Sequence, residues 1–454
     1  MSHRTAFLAT VSLLFALCSS AIAQTSRETI LAHGRAHAQA LAHPDMKGRG
    51  YQHEGHRKAA DYLATQFEKF GLQAVPKLSE NDEPYFQYFR ANLNLVQDSM
   101  YLHLNGVNLR DGHDYIAKSN TGRGELTEAR VRDLGYGLPE DFDRSFQGEV
   151  VMFRAGLPEK ITADKKLKEA YRRFGSDDVK IDFATKMQAA GVIILKPKLT
   201  AGFSPMPVEI PVLEVLEEKL PGKHPKPEKR RKKIKTCDLR IMTKFTAINT
   251  QNVIGMIEGS VHKDSVVIVC GHYDHLGTQD EAIFYGGNDN ASGTAMLLNF
   301  AEHFSRPENR PRYSMAFVGY GGEEAGLLGS RHYVEQDPLI PLANTVFVLN
   351  IDLMANGDEG ITVVAGPDFP EPFQQLQDIN TEMEAVPRVK GRGNAPNSDH
   401  YFFVKNGVPA FFIYTLGGPP HYHDVNDTYE NMQFSRFYEV QTLLTRFLNQ
   451  RMGQ

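Results

Sequence analysis

The feature that most constrains the fold of this sequence is an alternation of short apolar runs with an amphipathic segment in its second half, from about residue 246 onward. The apolar runs are Val266–Cys270, Ala316–Gly319, Val346–Ile351 and Phe411–Tyr414, and the amphipathic segment Met296–Phe304 lies between the first two. Such alternation is typical of a largely parallel sheet that is covered by helices. The sequence therefore predicts an α/β domain with a central mixed, largely parallel sheet flanked by helices.

Acidic and imidazole side chains follow the apolar runs, at the points where parallel strands would meet at one sheet edge. They come from five separate segments and comprise His272, Asp274, Asp289, Glu323, Glu324, Asp352, His423 and Asp427. Carboxylates crowded at one edge repel each other unless a cation lies among them. A set of His, Asp and Glu without thiolates suits zinc, or a related ion such as manganese or cobalt. Three acids and two histidines are enough for two ions when one carboxylate bridges them.

The first half of the chain has a different pattern of apolar and polar residues. Residues from about 26 to 75 read as helices, and Gly71 stands where a helix end favours a residue with positive φ. Between about 112 and 245, the β-like runs Glu149–Phe153 and Gly191–Leu195 flank a helical stretch around Phe183 to Ala190. The sequence pattern of this stretch therefore differs from that of the α/β domain that follows it.

Charge argues against nucleic acid as a partner. The chain carries 50 Lys plus Arg and 55 Asp plus Glu, a net charge of −5, whereas nucleic-acid binding requires a basic face. The basic run Lys229–Lys233 has no interleaved aromatic residues and is interpreted as part of a solvated loop.

The N-terminus has the pattern of a secretory signal. Arg4 precedes an apolar run, Ala6–Leu17, and Ala21-Ile22-Ala23 forms a cleavage site of small residues. We expect residues 1–23 to be removed, the mature protein to be secreted or periplasmic, and no membrane span to remain. Cys237 and Cys270 could then pair or stay free, and the sequence does not decide between these states.

At this point a family resemblance becomes specific. The motifs that carry it are His272-x-Asp274, Asp289-Asn-Ala-Ser-Gly, Glu323-Glu324, Asn350-Ile-Asp352 and His423-x-x-x-Asp427-Thr428. Together they resemble metallopeptidase family 28, the zinc aminopeptidases, which also includes glutamate carboxypeptidase and, more distantly, glutaminyl cyclase. The segment Met46-Lys-Gly-Arg49 resembles the N-terminal part of that family, and residues from about 112 to 240 resemble an inserted protease-associated domain.

The resemblance implies four units: a signal peptide (1–23), the N-terminal part of the peptidase domain (24–111), a protease-associated inserted domain (112–245) and the catalytic zinc-peptidase domain (246–454). It also implies two zinc ions per chain. Asp289 would bridge them, His272 and Asp352 would complete one site, and Glu324 and His423 would complete the other.

The resemblance assigns further roles near these ligands. Asp274 would accept a hydrogen bond from the far nitrogen of His272, Glu323 would be the general base for a metal-activated water, and Tyr422 would steady the oxyanion. A cis peptide bond is expected between Asp289 and Asn290. The remaining candidates are not expected to bind a metal ion. Asp427 is expected to cap or orient the loop of His423, and Asp399 to lie near the pocket. The histidines expected at the surface or behind the ligands are His275, His303, His400 and His421.

The resulting hypothesis is an exported dizinc aminopeptidase that acts on peptides with a free N-terminus. One alternative is a carboxypeptidase of the glutamate carboxypeptidase type, for which Arg388, Lys390 and Arg392 are the available basic residues. Another is a receptor-like binding module without activity. Glutaminyl cyclase is a weaker alternative, since that branch generally works with one zinc and lacks the inserted domain. The oligomeric state is not predicted.

Overall fold

A computed structural model describes residues 27–97, 99–204, 206–221 and 233–453. The predicted signal peptide and all but the last residue of the basic run Lys229–Lys233 lie outside the described residues. The helices are α1 (27–41), α2 (Gly55–Lys69), α3 (Glu159–Thr162), α4 (Lys165–Ala170), α5 (Asp177–Lys186), α6 (Gly293–Ser305), α7 (Leu328–Arg331), α8 (Pro370–Met383), α9 (His400–Lys405) and α10 (Phe437–Arg451). Among the described residues, no helix combines the length and the apolar character that crossing a bilayer requires.

Within the described ranges, eighteen strands form the two large sheets and one short hairpin. They are β1 (Phe86–Val96), β2 (Tyr101–Leu104), β3 (Val107–Asn108), β4 (Tyr115–Ala117), β5 (Gly124–Asp133), β6 (Glu149–Arg154), β7 (Gly191–Lys196), β8 (Val212–Leu216), β9 (Thr236–Ile241), β10 (Thr243–Ile257), β11 (His262–His272), β12 (Gly277–Gln279), β13 (Ala282–Phe284), β14 (Tyr313–Tyr320), β15 (Thr345–Asp352), β16 (Gly360–Val364), β17 (Val389–Arg392) and β18 (Ala410–Leu416).

The first large sheet is mixed, with four parallel strands at its centre and one further parallel pair, β16–β17, at an edge. Its order is β1-β10-β14-β11-β15-β18-β16-β17, and the pairs β14–β11, β11–β15 and β15–β18 are parallel. Each of these four strands contains one of the apolar runs seen in the sequence. The predicted mixed, largely parallel sheet is therefore confirmed.

The apolar run of β11 is continuous because both faces of the sheet are covered. Val267 and Val269 pack on one face with residues of α6 and α10, whereas Ile268 and Cys270 pack on the other with Tyr333 and residues of α9. Successive side chains of a strand point to opposite faces, so a doubly covered strand must be apolar at every position. This burial fixes the carboxyl ends of the central strands at one edge.

The second large sheet has the order β3-β2-β9-β5-β6-β7-β8-β4 and uses strands from Tyr101 to Ile241. Strands β6 and β7 contain the two β-like runs predicted between residues 112 and 245, whereas the domain boundaries themselves stay a prediction. The helix expected around Phe183 to Ala190 is placed too late: α5 ends at Lys186, because the chain turns at Gln188, whose φ is 62°, to enter β7.

The two sheets are joined by a long antiparallel ribbon. Strand β1 pairs with β10 from Phe86–Val253 to Val96–Thr243, and the second sheet lies between these strands in sequence. The cysteines do not pair, since Cys237 and Cys270 are both free and buried, in β9 and β11 respectively.

Candidate metal centre

The five predicted ligands come together at the carboxyl edge of the first sheet. His272 ends β11 and Asp352 ends β15, while Glu324 follows β14 after a turn at Gly322, whose φ is 70°. Asp289 lies in the turn Gly287–Ser292 that leads into α6, and His423 lies in the loop after β18. The sheet thus carries side chains from residues 272 to 423 into one small volume.

The two oxygens of Asp289 face two different groups of side chains. On one side, His272 Nε2 lies 3.4 Å from Asp289 Oδ1 and 3.2 Å from Asp352 Oδ2. On the other side, His423 Nε2 lies 3.0 Å from Asp289 Oδ2 and 3.2 Å from Glu324 Oε2. This is the division that a carboxylate bridging two ions requires.

The spacing of these atoms fits zinc. Bonds of about 2.0–2.2 Å to nitrogen and oxygen place two ligand atoms of a tetrahedral ion about 3.4 Å apart. The four distances around Asp289 lie between 3.0 and 3.4 Å. In addition, Asp352 Oδ1 is buried without a hydrogen-bond partner, although a buried carboxylate oxygen normally has one. A cation would satisfy this atom and compensate the clustered negative charges.

The electrostatics of the cluster show the same need for positive charge. Burial alone would lower the pKa of His423, but the carboxylates of Glu324 and Asp289 raise it to about 11. Burial and the negative charges of Glu324, Asp399 and Asp352 outweigh the attraction of His272, so the pKa of Glu323 lies well above its ordinary value.

A buried arginine holds the loop that carries Asp289. Arg49 is fully buried, and its guanidinium donates to the backbone carbonyls of Leu41, Tyr273, Tyr285, Gly286 and Asp289, at 2.7 to 3.2 Å. Burial lowers the pKa of Arg49 to about 10, which leaves the side chain charged at neutral pH. The sequence pointed to this residue only as part of a motif, without a role.

The contacts of Asp274 differ in detail from those expected. The far nitrogen of His272, Nδ1, lies 3.1 Å from the backbone carbonyl of Asp274, and the Asp274 carboxylate is 3.9 Å away. That carboxylate instead accepts hydrogen bonds from the Tyr51 hydroxyl at 2.9 Å and the Glu323 N–H at 3.2 Å. Asp274 therefore supports the backbone of Glu323 as well as the strand end of His272.

Asp427 links the loop of His423 to the loop of Asp289. Its two carboxylate oxygens accept hydrogen bonds from the backbone N–H groups of Asn288 and Asp289, at 2.8 and 2.9 Å. Its orienting effect thus reaches beyond its own loop. The expected cis peptide bond between Asp289 and Asn290 is present.

The other candidate residues near this cluster differ in burial. His275, expected at the surface or behind the ligands, is fully buried, and its Nδ1 lies 2.7 Å from Glu324 Oε1. Asp399 and His400 are also fully buried, whereas His303 and His421 are partly exposed.

Tyr422 lies at the rim of the site. Its ring stacks on the imidazole of His423 with centroids 3.8 Å apart, and the residue is 53% exposed. The basic residues considered for a carboxypeptidase lie on or next to the edge strand β17, where Arg388 is 3.6 Å from Glu359.

The far nitrogen of His423 has a partner that no sequence motif indicated. His423 Nδ1 lies 3.0 Å from the backbone carbonyl of Ala201, in the loop between β7 and β8 of the second sheet. Any residue type can supply a backbone carbonyl, so no side-chain pattern identifies this contact. The missed residues Arg49, Tyr51 and Ala201 all act on the site from outside the apolar runs.

The sequence of this chain is similar to those of known peptidases. Residues 252–448 match the family model described as peptidase family M28. Aminopeptidase YwaD of Bacillus subtilis is 25% identical over 369 residues, which cover 75% of this chain and 72% of that protein. A probable glutamate carboxypeptidase of Arabidopsis thaliana, LAMP1, is 29% identical over 203 residues, but this match covers 40% of the chain and only 28% of the plant protein.

Solved structures agree in fold over nearly the whole chain. The zinc aminopeptidase BSAP from Bacillus subtilis superposes with a TM-score of 0.68 at 20% identity, and the match covers 92% of this chain and 94% of that one. A peptidase M28 precursor from Shewanella amazonensis gives a TM-score of 0.65 at 16% identity, with 95% and 97% covered. Both structures extend the likeness to residues outside the range 252–448.

Proposed function

Since residues 252–448 match the model of peptidase family M28, we propose that the protein is an exported aminopeptidase that uses two zinc ions to remove residues from peptides with a free N-terminus. The observation that carries this proposal is the division of the Asp289 carboxylate between His272 on one side and His423 on the other. Export rests on the N-terminal sequence pattern, and the inserted second sheet is proposed to be a protease-associated domain.

The chain's own residues divide the work of hydrolysis. His272 and Asp352 would hold one ion, Glu324 and His423 the other, and Asp289 both. When bound, zinc lowers the pKa of a water molecule toward about 7 and polarises a carbonyl oxygen. Glu323 would take the proton of that water and pass it to the leaving amine, as a general acid–base requires.

The environment of Glu323 suits a proton carrier. The residue lies in a turn whose backbone is fixed by the hydrogen bond from its N–H to Asp274. Burial and neighbouring carboxylates raise its pKa above that of an ordinary glutamate, which favours acceptance of a proton. Tyr422, at the rim of the same site, would donate a hydrogen bond to the developing oxyanion.

Aminopeptidase action is favoured over carboxypeptidase action by the extent of the likeness. The aminopeptidase relative is matched over 72% of its length, against 28% for the glutamate carboxypeptidase relative. Of the basic residues that a carboxypeptidase pocket would use, Arg388 is engaged by Glu359.

A substrate panel with zinc analysis tests the proposal. Purified protein is given aminoacyl-nitroanilides, N-blocked peptides and peptides with an N-terminal glutamine, and zinc is quantified in the same sample. We expect two zinc ions per chain and cleavage only of substrates with a free amine. Cleavage of N-blocked peptides alone would reject the aminopeptidase assignment, and a metal-free, inactive protein would favour the binding module.

A further inference from the structure

One segment of the second sheet's domain lies directly against the loop that carries His423. This segment, residues 198–203, follows β7 and is called the docking segment here. Ala201 forms two backbone contacts with His423: its N–H donates to the His423 carbonyl at 3.1 Å, and its carbonyl lies 3.0 Å from His423 Nδ1. The docking segment therefore contacts both the backbone and the ring of a proposed zinc ligand.

Lys198 strengthens this contact from the side. Its ammonium donates to the backbone carbonyls of Pro420 and Tyr422, at 2.7 and 3.0 Å, and lies 3.7 Å from the Asp424 carboxylate. These three acceptors surround His423 in the loop. The φ of His423 is 58°, in the left-handed region that a non-glycine residue adopts at a cost, so the loop needs outside support to keep this shape.

An apolar contact anchors the docking segment to the peptidase side. Leu199 and Ala201 are buried in one cluster with Leu276, Phe284 and Val425. In addition, the ring of Phe203 packs edge-to-face on Tyr51 with centroids 5.5 Å apart, and Tyr51 donates to the Asp274 carboxylate. Burial of these side chains therefore fixes the position of the docking segment in the folded chain.

The contact with Ala201 has a direct consequence for the imidazole. A ring whose Nδ1 donates its proton to a carbonyl carries its lone pair on Nε2, the tautomer that metal ligation requires. His423 Nε2 is the atom that lies 3.0 Å from Asp289 and 3.2 Å from Glu324. His272 is supported differently, since its Nδ1 contacts the backbone carbonyl of Asp274, two residues after His272 itself.

We propose that the second sheet's domain is a positioning element of the metal centre: the part of its docking segment from Lys198 to Ala201 holds His423 and thereby sets the zinc affinity of the His423–Glu324 side, but not of the His272–Asp352 side. This inference rests on the proposed function, because it requires two zinc ions. It gives the inserted domain a role at the reacting centre, separate from any role in restricting substrate size.

Two variants act on the segment through different chemistry. Lys198→Met removes the donors to the loop carbonyls, and Leu199→Ala removes part of the apolar anchor; Lys198→Arg keeps the charge and donors. Lys186→Met is the matched control, since Lys186 pairs within its own helix with Asp182 at 2.6 Å. Zinc affinities are measured by competition with a chromophoric chelator, and thermal unfolding of the zinc-free proteins reports folding.

We expect Lys198→Met and Leu199→Ala each to raise one of the two zinc dissociation constants about tenfold and to leave the other unchanged. Loss of the groups that support a metal ligand typically lowers metal affinity by this much. Lys198→Arg should restore most of the affinity, and Lys186→Met should match wild type. Unchanged constants in both variants, or an equal loss at both sites, would overturn the inference while the dizinc centre itself stands. A wild-type protein that binds fewer than two zinc ions would instead overturn the proposed function.

Discussion

At the scale of single residues, Glu323 and Glu324 are chemically identical neighbours with different surroundings. Glu324 contacts His275 and His423, whereas Glu323 lies among carboxylates that raise its pKa. We expect Glu323→Gln to retain zinc but to lose turnover by roughly 10²- to 10⁴-fold, because the variant cannot carry a proton. Steady-state kinetics and metal analysis of the same preparation check this.

The matched control is Glu258→Gln, a surface glutamate paired with Lys263, which should keep wild-type turnover. Full activity of Glu323→Gln would show that another group moves the proton.

A second residue-scale consequence concerns acid stability. Burial, with a smaller contribution from Arg392, lowers the pKa of His400 to about 3. Between pH 6.5 and 3 the imidazole of His400 binds a proton in the unfolded chain but not in the folded chain. This difference lowers the free energy of unfolding by up to about 1.4 kcal/mol for each unit of falling pH. His400→Leu should flatten this dependence in urea unfolding at pH 7 and pH 5. An unchanged pH dependence would contradict the assignment.

At the scale of elements, the loop before α6 is shaped by contacts remote in sequence. Arg49 donates to carbonyls on both sides of it, and Asp427 binds two of its N–H groups. Arg49→Met leaves buried carbonyls unpaired, and we expect it to reduce the free energy of unfolding of the zinc-free protein by at least about 3 kcal/mol. Denaturant unfolding measures this change.

Arg27→Met provides the comparison, since Arg27 is half exposed and pairs with Glu439 at the surface. Its effect should stay within about 1 kcal/mol. Equal losses in the two variants would mean that Arg49 is not a structural support of the loop.

The elements also show what the sequence can and cannot predict. Strands β11, β14, β15 and β18 were predictable because both faces are covered, which leaves a continuous apolar run in each. The convergence of the acids followed from strand direction. The contacts of Arg49 and Ala201 were not predictable, because each contact involves a backbone atom, spans up to 240 residues of sequence and imposes no side-chain pattern.

At the scale of the whole molecule, the charge cluster links stability to metal. Ligands that bind only the folded state stabilise it, by about 4 kcal/mol when the free ion exceeds its dissociation constant a thousandfold. We expect a chelator to lower the melting temperature and zinc to restore it. Magnesium should not restore it, because a site rich in imidazole disfavours that ion. Identical melting of the zinc-free and zinc-loaded protein would contradict a structural contribution of the ions.

The pairing of β1 with β10 has a consequence for synthesis of the chain. Residues 97–242 separate these partners, so the ribosome must finish the second sheet before the edge of the first can close. His423 emerges later still, and its support at Ala201 is by then already made. The nascent polypeptide therefore carries no complete metal centre of the proposed kind until His423 has been synthesised.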